Sequence, residues 1–290
     1  MKISEAWSIF VSDKRMENCS PHTLKFYESQ YKILISALGN LDMGEVKYQH
    51  LMEYLLHHSD DLKSKSLDSR IRFARSLFRW AQENDYIKTN PSAKLKTPKR
   101  GTRIPRALSR EDINNLRQAC QTSLEHALLE FLYSSGCRIG EVVLLNRYDI
   151  NWENRSVVVR GKGDKEREVY FTRESKAFLL SYLENRSDTE PCLFIREDKN
   201  NTCEEDKRNP RPLKAHQMRY VLQKLTARTN IKDRVYPHRF RHTYACNLLD
   251  NGAPLAVIQS LMGHAKLDTT RIYAELRGEK RREVYEKYFD

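Results

Sequence analysis

Tyr236-Pro-His-Arg-Phe-Arg-His-Thr-Tyr244, followed by Leu261-Met-Gly-His264 and by Asp268-Thr-Thr-Arg-Ile-Tyr273, is the stretch around which the rest of the chain is read. Pro237 suits the first position of a helix, where its missing N–H would lack a partner anyway. On that helix His238 and Arg241, three apart, project from one face. Gly263 is placed to end the next helix, with His264 directly behind it and Tyr273 nine residues further on. His238 and His242 stand four apart, but the HExxH pattern of a zinc site is absent, and Arg239 and Arg241 would repel a cation. Arginines and histidines without carboxylates are groups that hold a phosphate. Taken singly, each histidine reads as an ordinary surface or core residue and Tyr273 as a packed aromatic. The joint spacing favours a site.

Composition bounds the rest. A chain of 290 residues allows one or two domains, each with its own core. A formal charge of +12 suits a polyanionic partner, although a generically adhesive basic protein would carry it too. No apolar run approaches the roughly 18 residues needed to cross a bilayer. Met1-Lys-Ile-Ser-Glu-Ala-Trp7 has no apolar signal-peptide core, so the expected location is cytoplasmic, with no membrane partner. Cys19, Cys120, Cys137, Cys192, Cys203 and Cys246 form no CxxC pair and read as reduced thiols, with neither disulfides nor metal ligands expected.

Residues 1–95 read as all-helical. Ala6, Trp7, Phe10 and Val11 give one side to a helix over Ser4–Arg15. Ser20-Pro21 is a cap followed by proline, and the helix it starts carries Leu24, Tyr27, Tyr31, Leu34, Ile35 and Leu38 until Gly39 stops it. A third helix is expected near Tyr48–His57. A fourth, over Ser66–Asn84, turns Leu67, Ile71, Ala74, Leu77, Phe78 and Ala81 inward and leaves Arg70, Arg72, Arg75 and Arg79 on its other faces. A charged face is usually just solvated, but one made almost wholly of arginine favours phosphate contacts. Residues 96–106 hold Lys99 and Arg100 in a basic, proline-bearing linker that either tethers two domains or lies along a DNA backbone.

A second domain, 107–290, opens on the capping signal Ser109-Arg-Glu-Asp112 and continues with an apolar helix near Leu124–Ser134. In Ser135-Gly-Cys-Arg138-Ile-Gly-Glu141 the glycine lets the backbone turn, and Arg138 stands at a helix entrance. The Arg138/Glu141 spacing is commonly a weak surface ion pair, yet the helix dipole disfavours a cation there, which points to an anionic ligand for Arg138. Ser156–Arg160 and Glu168–Phe171 flank Gly161-Lys-Gly-Asp-Lys-Glu-Arg167 as a β-hairpin with Lys162 at its tip. This is not a P-loop, because the GxxxxGK[ST] spacing is missing. Cys192–Ile195 is a candidate third strand, 196–212 a polar surface loop, and Ala215–Thr229 a further helix.

On these motifs the sequence resembles the tyrosine recombinase (phage integrase) family from Ser20-Pro21 to the tail, with the layout of its short Xer-like members. The fold this implies is mainly α with a small antiparallel β-sheet: an N-terminal four-helix SAM-like core-binding domain, then an α+β catalytic domain. The (S/T)GxRxxE pattern matches Arg138 with Glu141 in support, and the hairpin lysine of GKGxKxR matches Lys162. HxxR matches His238 and Arg241, LxGH matches His264, and the nucleophile matches Tyr273.

The resemblance implies a site-specific recombinase that works without cofactor or metal. Tyr273 would attack a phosphodiester to give a 3′-phosphotyrosyl link and a free 5′-hydroxyl, with strand exchange through a Holliday junction. The implied partners are double-stranded DNA with a paired inverted-repeat core site, a homo-tetramer or a paralogous recombinase, and accessory DNA-bending proteins. The chemistry agrees with the residue types. Two guanidiniums and His264 can stabilise charge on the non-bridging oxygens, His238 can act as base, and Lys162 can protonate the leaving oxygen. The amphipathic tail 274–290 either packs on its own domain or passes to a neighbouring protomer. A type IB topoisomerase shares the Arg/Lys/His/Tyr chemistry, and a DNA-binding protein with a vestigial pocket is the non-enzymatic alternative. The complete residue set argues against the latter, and His264 against the former.

Overall fold

The computed structural model describes residues 1–57, 64–98, 106–161, 165–196 and 212–263. Lys99, Arg100, Lys162, His264, Tyr273 and the 274–290 tail lie outside the described residues. The chain divides into two compact units, Met1–Arg103 and Ile104–Asp290, and the division falls inside the 96–106 stretch.

The first unit holds four helices, α1 (Ile3–Met16), α2 (Pro21–Leu38), α3 (Tyr48–Leu56) and α4 (Ser64–Glu83). The start of α2 follows the cap chemistry: Ser20 Oγ accepts the Thr23 N–H at 3.2 Å, with Pro21 at the first position. Gly39, at φ +66°, ends it in a conformation that L side chains disfavour. Phe10, Leu34, Tyr54, Phe73, Leu77 and Phe78 make a closed apolar core, and Trp7 stacks on Tyr31 with ring centroids 4.4 Å apart. Trp80 is admitted to that core because its indole N–H donates to Asp13 Oδ2 at 2.7 Å.

In the second unit, α6 (Ser123–Ser135) is buried on most of its circumference, through Leu124, Ala127, Leu128, Leu129, Phe131 and Leu132. A helix buried on nearly every side belongs at the centre of its unit, and the two carboxylates it buries are paired, Glu130 with Arg117 and Glu125 with Arg228. α5 (Arg110–Ala119) packs beside it. The start of α5 is a reciprocal cap, Ser109 Oγ accepting the Asp112 N–H at 3.0 Å and Asp112 Oδ2 accepting the Ser109 N–H at 2.9 Å. After the short α7 (Ile139–Val142) comes a three-stranded antiparallel sheet ordered β1 (Ile150–Asn151), β2 (Ser156–Arg160), β3 (Glu166–Tyr170). Val157 pairs with Val169 on the buried face, while Val158 pairs with Glu168 on the exposed one. α8 (Arg173–Glu184), α9 (Ala215–Ala227), α10 (Pro237–Asp250) and α11 (Leu255–Met262) complete the unit, with α8 and α10 against α6.

Two expectations about the sheet are corrected. The second hairpin strand begins at Glu166 rather than Glu168, because Arg160 pairs with Glu166 before the turn opens. Cys192–Ile195 is not a strand of this sheet. That place is taken by β1, and Cys192 and Ile195 form only isolated bridges, with Asn146 and Pro212 respectively. The second bridge is a stem, since Leu213 N–H also donates to Phe194 O at 3.0 Å. Among the described residues no helix is long and apolar enough to cross a membrane.

Candidate active site

The site is built where three chain turns converge. The first follows α6, where Gly136 adopts φ +62°, ψ +16°. A Cβ there would meet the Tyr244 ring at 2.4 Å, so both the backbone conformation and the close approach demand glycine. This turn delivers Arg138 to the entrance of α7. The unfavourable cation at a helix start is offset by Glu141, whose Oε2 accepts the Arg138 backbone N–H at 2.8 Å while Oε1 accepts Arg138 Nη1 at 2.9 Å.

The Arg138–Glu141 contact is therefore not a weak surface pair. Glu141 is buried and its carboxylate is shared with Arg167, whose Nη1 and Nη2 donate to Oε1 and Oε2 at 2.8 and 2.7 Å. Burial alone would raise the Glu141 pKa. The Arg167 and Arg138 hydrogen bonds and their charges outweigh it and bring the carboxyl down to about 2.

The second turn is the start of α10. Pro237 occupies its first position, His238 is exposed and Arg241 is buried. Arg241 Nη1 donates to Gly136 O at 2.7 Å, and its Nη2 donates to Met262 O. Arg239, between them, faces the protein: its Nε donates to Arg106 O at 2.9 Å. His242 is buried too. Burial, and then the Arg239 charge, lower its pKa, and its Nε2 lies 3.7 Å from Cys246 Sγ. Among the described residues no group of three or more His, Cys, Asp or Glu is arranged to hold a metal.

The third turn is the end of α11, where Gly263 takes the left-handed conformation at φ +60°, ψ +49°. Here the three guanidiniums converge. Arg167 Nε donates to Leu261 O at 2.9 Å, Arg241 to Met262 O, and Arg138 Nη2 to Gly263 O at 3.2 Å. The last carbonyls of a helix carry its negative end, so cations are favoured there. His264 is the next residue in the chain.

The structure thus brings together Arg138, Glu141 and Arg241 from segments far apart in sequence. It also adds Arg167, which the motif reading passed over although it is the last residue of the GKGxKxR pattern. Tyr244 lies against the same turns, but burial pushes its phenol up to about 12, and Cys137 behind them is a neutral thiol, pushed by burial up to about 11.

On α4 the arginines separate. Arg70 is not on an exposed face, which corrects the expectation. It is buried, and its Nη1 donates to the carbonyls of Tyr54, Leu55 and His57 at 2.8–2.9 Å, closing the end of α3. Arg75 donates to Leu95 O. Arg72 is exposed and paired with the buried Asp68 at 2.8 Å, and Arg79 is exposed.

Comparison with known proteins shows the family. The sequence pattern described as the phage integrase family matches residues 106–280. The tyrosine recombinase XerC of Oceanobacillus iheyensis is 31% identical over 282 residues, covering 93% of this chain and 91% of that protein. In fold, a lambda integrase dimer bound to a COC' core site matches with TM-score 0.76 at 17% identity, over 96% of this chain and 97% of that one. A lambda integrase tetramer bound to a Holliday junction matches with TM-score 0.73 at 17% identity, over 92% of this chain and 78% of that one. The chain belongs to the phage integrase family, the tyrosine recombinases.

Proposed function

We propose that the protein is a site-specific DNA recombinase that breaks and rejoins DNA strands through Tyr273. The observation that carries the reading is the meeting of Arg138, Glu141 and Arg241 at the end of α11, one residue before His264.

The phenol oxygen of Tyr273 attacks the phosphorus and gives its proton to His238. The bond from phosphorus to the 5′ oxygen breaks, and that oxygen takes a proton from Lys162. One phosphodiester becomes one 3′-phosphotyrosyl ester, so the bond energy is retained for rejoining. Arg138, Arg241 and His264 donate to the non-bridging oxygens as charge builds there, a kind of donor worth roughly 100- to 1,000-fold in rate when removed. Attack of a 5′-hydroxyl from the partner duplex on the phosphotyrosyl link reverses the step and exchanges strands.

The substrate is double-stranded DNA with a paired inverted-repeat core site, gripped by the helical first unit through Arg72, Arg75 and Arg79 and by the linker through Lys99 and Arg100. Two duplexes are held by a tetramer, with the 274–290 tail passing between protomers. The lambda integrase tetramer bound to a Holliday junction supports that assembly by likeness of fold. The reaction serves integration and excision of a mobile element or resolution of dimeric DNA, and takes place in the cytoplasm.

The test is a nicked core-site DNA taken from the flanks of the gene, with the denatured reaction run on a gel. Wild type should give a covalent protein–DNA adduct and Tyr273→Phe none. An adduct that persists in Tyr273→Phe overturns the nucleophile. An adduct that never joins to a second duplex favours a topoisomerase instead.

A further inference from the structure

Arg167 occupies the second position of β3, five residues after Lys162 in sequence, and its guanidinium is committed in three directions. Both carboxylate oxygens of Glu141 receive it at 2.8 and 2.7 Å, and its Nε holds Leu261 O at 2.9 Å. The side chain is 11% exposed. Its stem passes so close under the last residue of the α11 turn that a Cβ on Gly263 would lie 2.8 Å from Arg167 Cδ. One side chain therefore joins three pieces that each carry a group of the proposed reaction. The hairpin bears Lys162, α7 bears Arg138 through Glu141, and the end of α11 leads into His264.

We infer that Arg167 is a positioning residue for strand cleavage, fixing the hairpin, the Arg138–Glu141 pair and the end of α11 in one register. The inference rests on the recombinase reading. A planar fork can engage a carboxylate with two parallel bonds while its Nε points elsewhere, and an ammonium cannot reproduce that geometry. Without Arg167, Arg138 faces the full Glu141 charge and is drawn toward it, away from any phosphate. Leu261 O loses its donor at the same time. Displacements of about 1 Å in such a set cost about 100-fold in rate.

The experiment measures single-turnover cleavage of the nicked core-site DNA, affinity for that DNA and thermal unfolding. The proteins are wild type, Arg167→Lys, Arg167→Ala, Glu141→Gln and the Arg167→Ala/Glu141→Gln double variant. DNA affinity should stay within about twofold, since Arg167 is turned away from solvent. Cleavage should fall about 100-fold in Arg167→Ala. Arg167→Lys should not restore it, whereas millimolar methylguanidinium should recover it about tenfold in Arg167→Ala. Because Arg167 acts through Glu141, the double variant should be no slower than about threefold below the slower single one.

Cleavage within about threefold of wild type in a folded Arg167→Lys protein overturns the inference, and that variant decides if Arg167→Ala does not fold. A rate that simply tracks the folded fraction, without response to methylguanidinium, overturns it too. Absence of an adduct from wild type overturns the recombinase reading and the inference with it, a result distinct from a slow variant beside an active wild type.

Discussion

Replacing Glu141 by Gln should lower the stability of the second unit by about 3 kcal/mol at pH 7. The figure follows from what the carboxylate holds. It accepts the Arg138 N–H and three guanidinium hydrogens at 2.7–2.9 Å, and its side chain is 4% exposed. Gln keeps the shape but sets an amide N–H₂ against donors and leaves the largely enclosed Arg167 without its counter-charge. Removing one partner of a buried pair costs about 3–5 kcal/mol, and Arg138, one-third exposed, recovers some hydration, which places the value at the low end.

The pKa leads to the same magnitude. A carboxyl held at about 2 against an ordinary 4.5 contributes on the order of 3 kcal/mol at neutral pH. Its sign is fixed: the unfolded chain binds the proton more readily, so the contribution is intact above about pH 5 and is lost as pH falls from 4.5 toward 2. Urea unfolding followed by circular dichroism should therefore show a gap between wild type and variant of about 3 kcal/mol at pH 7, narrowing to about half by pH 3. A gap below about 1 kcal/mol at pH 7, or one that does not narrow at pH 3, would refute the reasoning.

The remaining expectations concern the other corrected or constrained positions. Arg70→Gln should lower stability by about 2–3 kcal/mol through the three carbonyls it leaves at the end of α3, without changing how DNA affinity depends on salt. Arg79→Ala should do the reverse, reducing the slope of log affinity against log salt by about 1 while unfolding is unchanged. If Arg70→Gln flattens that slope and leaves unfolding alone, the assignment of Arg70 to the α3 end fails. Gly136→Ala should cost about 2–4 kcal/mol, from the positive φ and the clash with Tyr244, and a second change Tyr244→Leu should recover part of it in the same urea titration. A loss under about 1 kcal/mol would show that the turn tolerates a side chain.

What was legible in the sequence was local or periodic. Ser20-Pro21, Gly39, Ser109 and Gly263 act through their own backbone neighbours, and each marks an element end in the structure. Pro237 likewise sits at the first position of α10, and the helix it opens carries Arg241 to the Gly136 and Met262 carbonyls while His238 is exposed. What was not legible depended on encounters between distant segments. Arg70 and Arg79 look alike along one helix, and only the position of α3 turns the first inward. Arg167 sits inside a recognised pattern, yet its role is set by residues 26 and 94 positions away. β1 has two residues, too few for any alternation to register. α8 is absent from the helices read out of the sequence. Its local signs are Thr172, whose Oγ1 accepts the Ser175 N–H at 3.2 Å, and the helical spacing of Phe178, Leu179, Tyr182 and Leu183.

The stem formed by Ile195 and Pro212, with Phe194 and Leu213 beside it, brings the chain back to the place it left. The Ile195–Pro212 bridge and the Leu213 N–H bond to Phe194 O thus tie the segment that follows α8 directly to the one that opens α9. The two helices are held in register by this backbone pairing as well as by their side chains, so a substitution on either packing face can be absorbed without one helix sliding past the other.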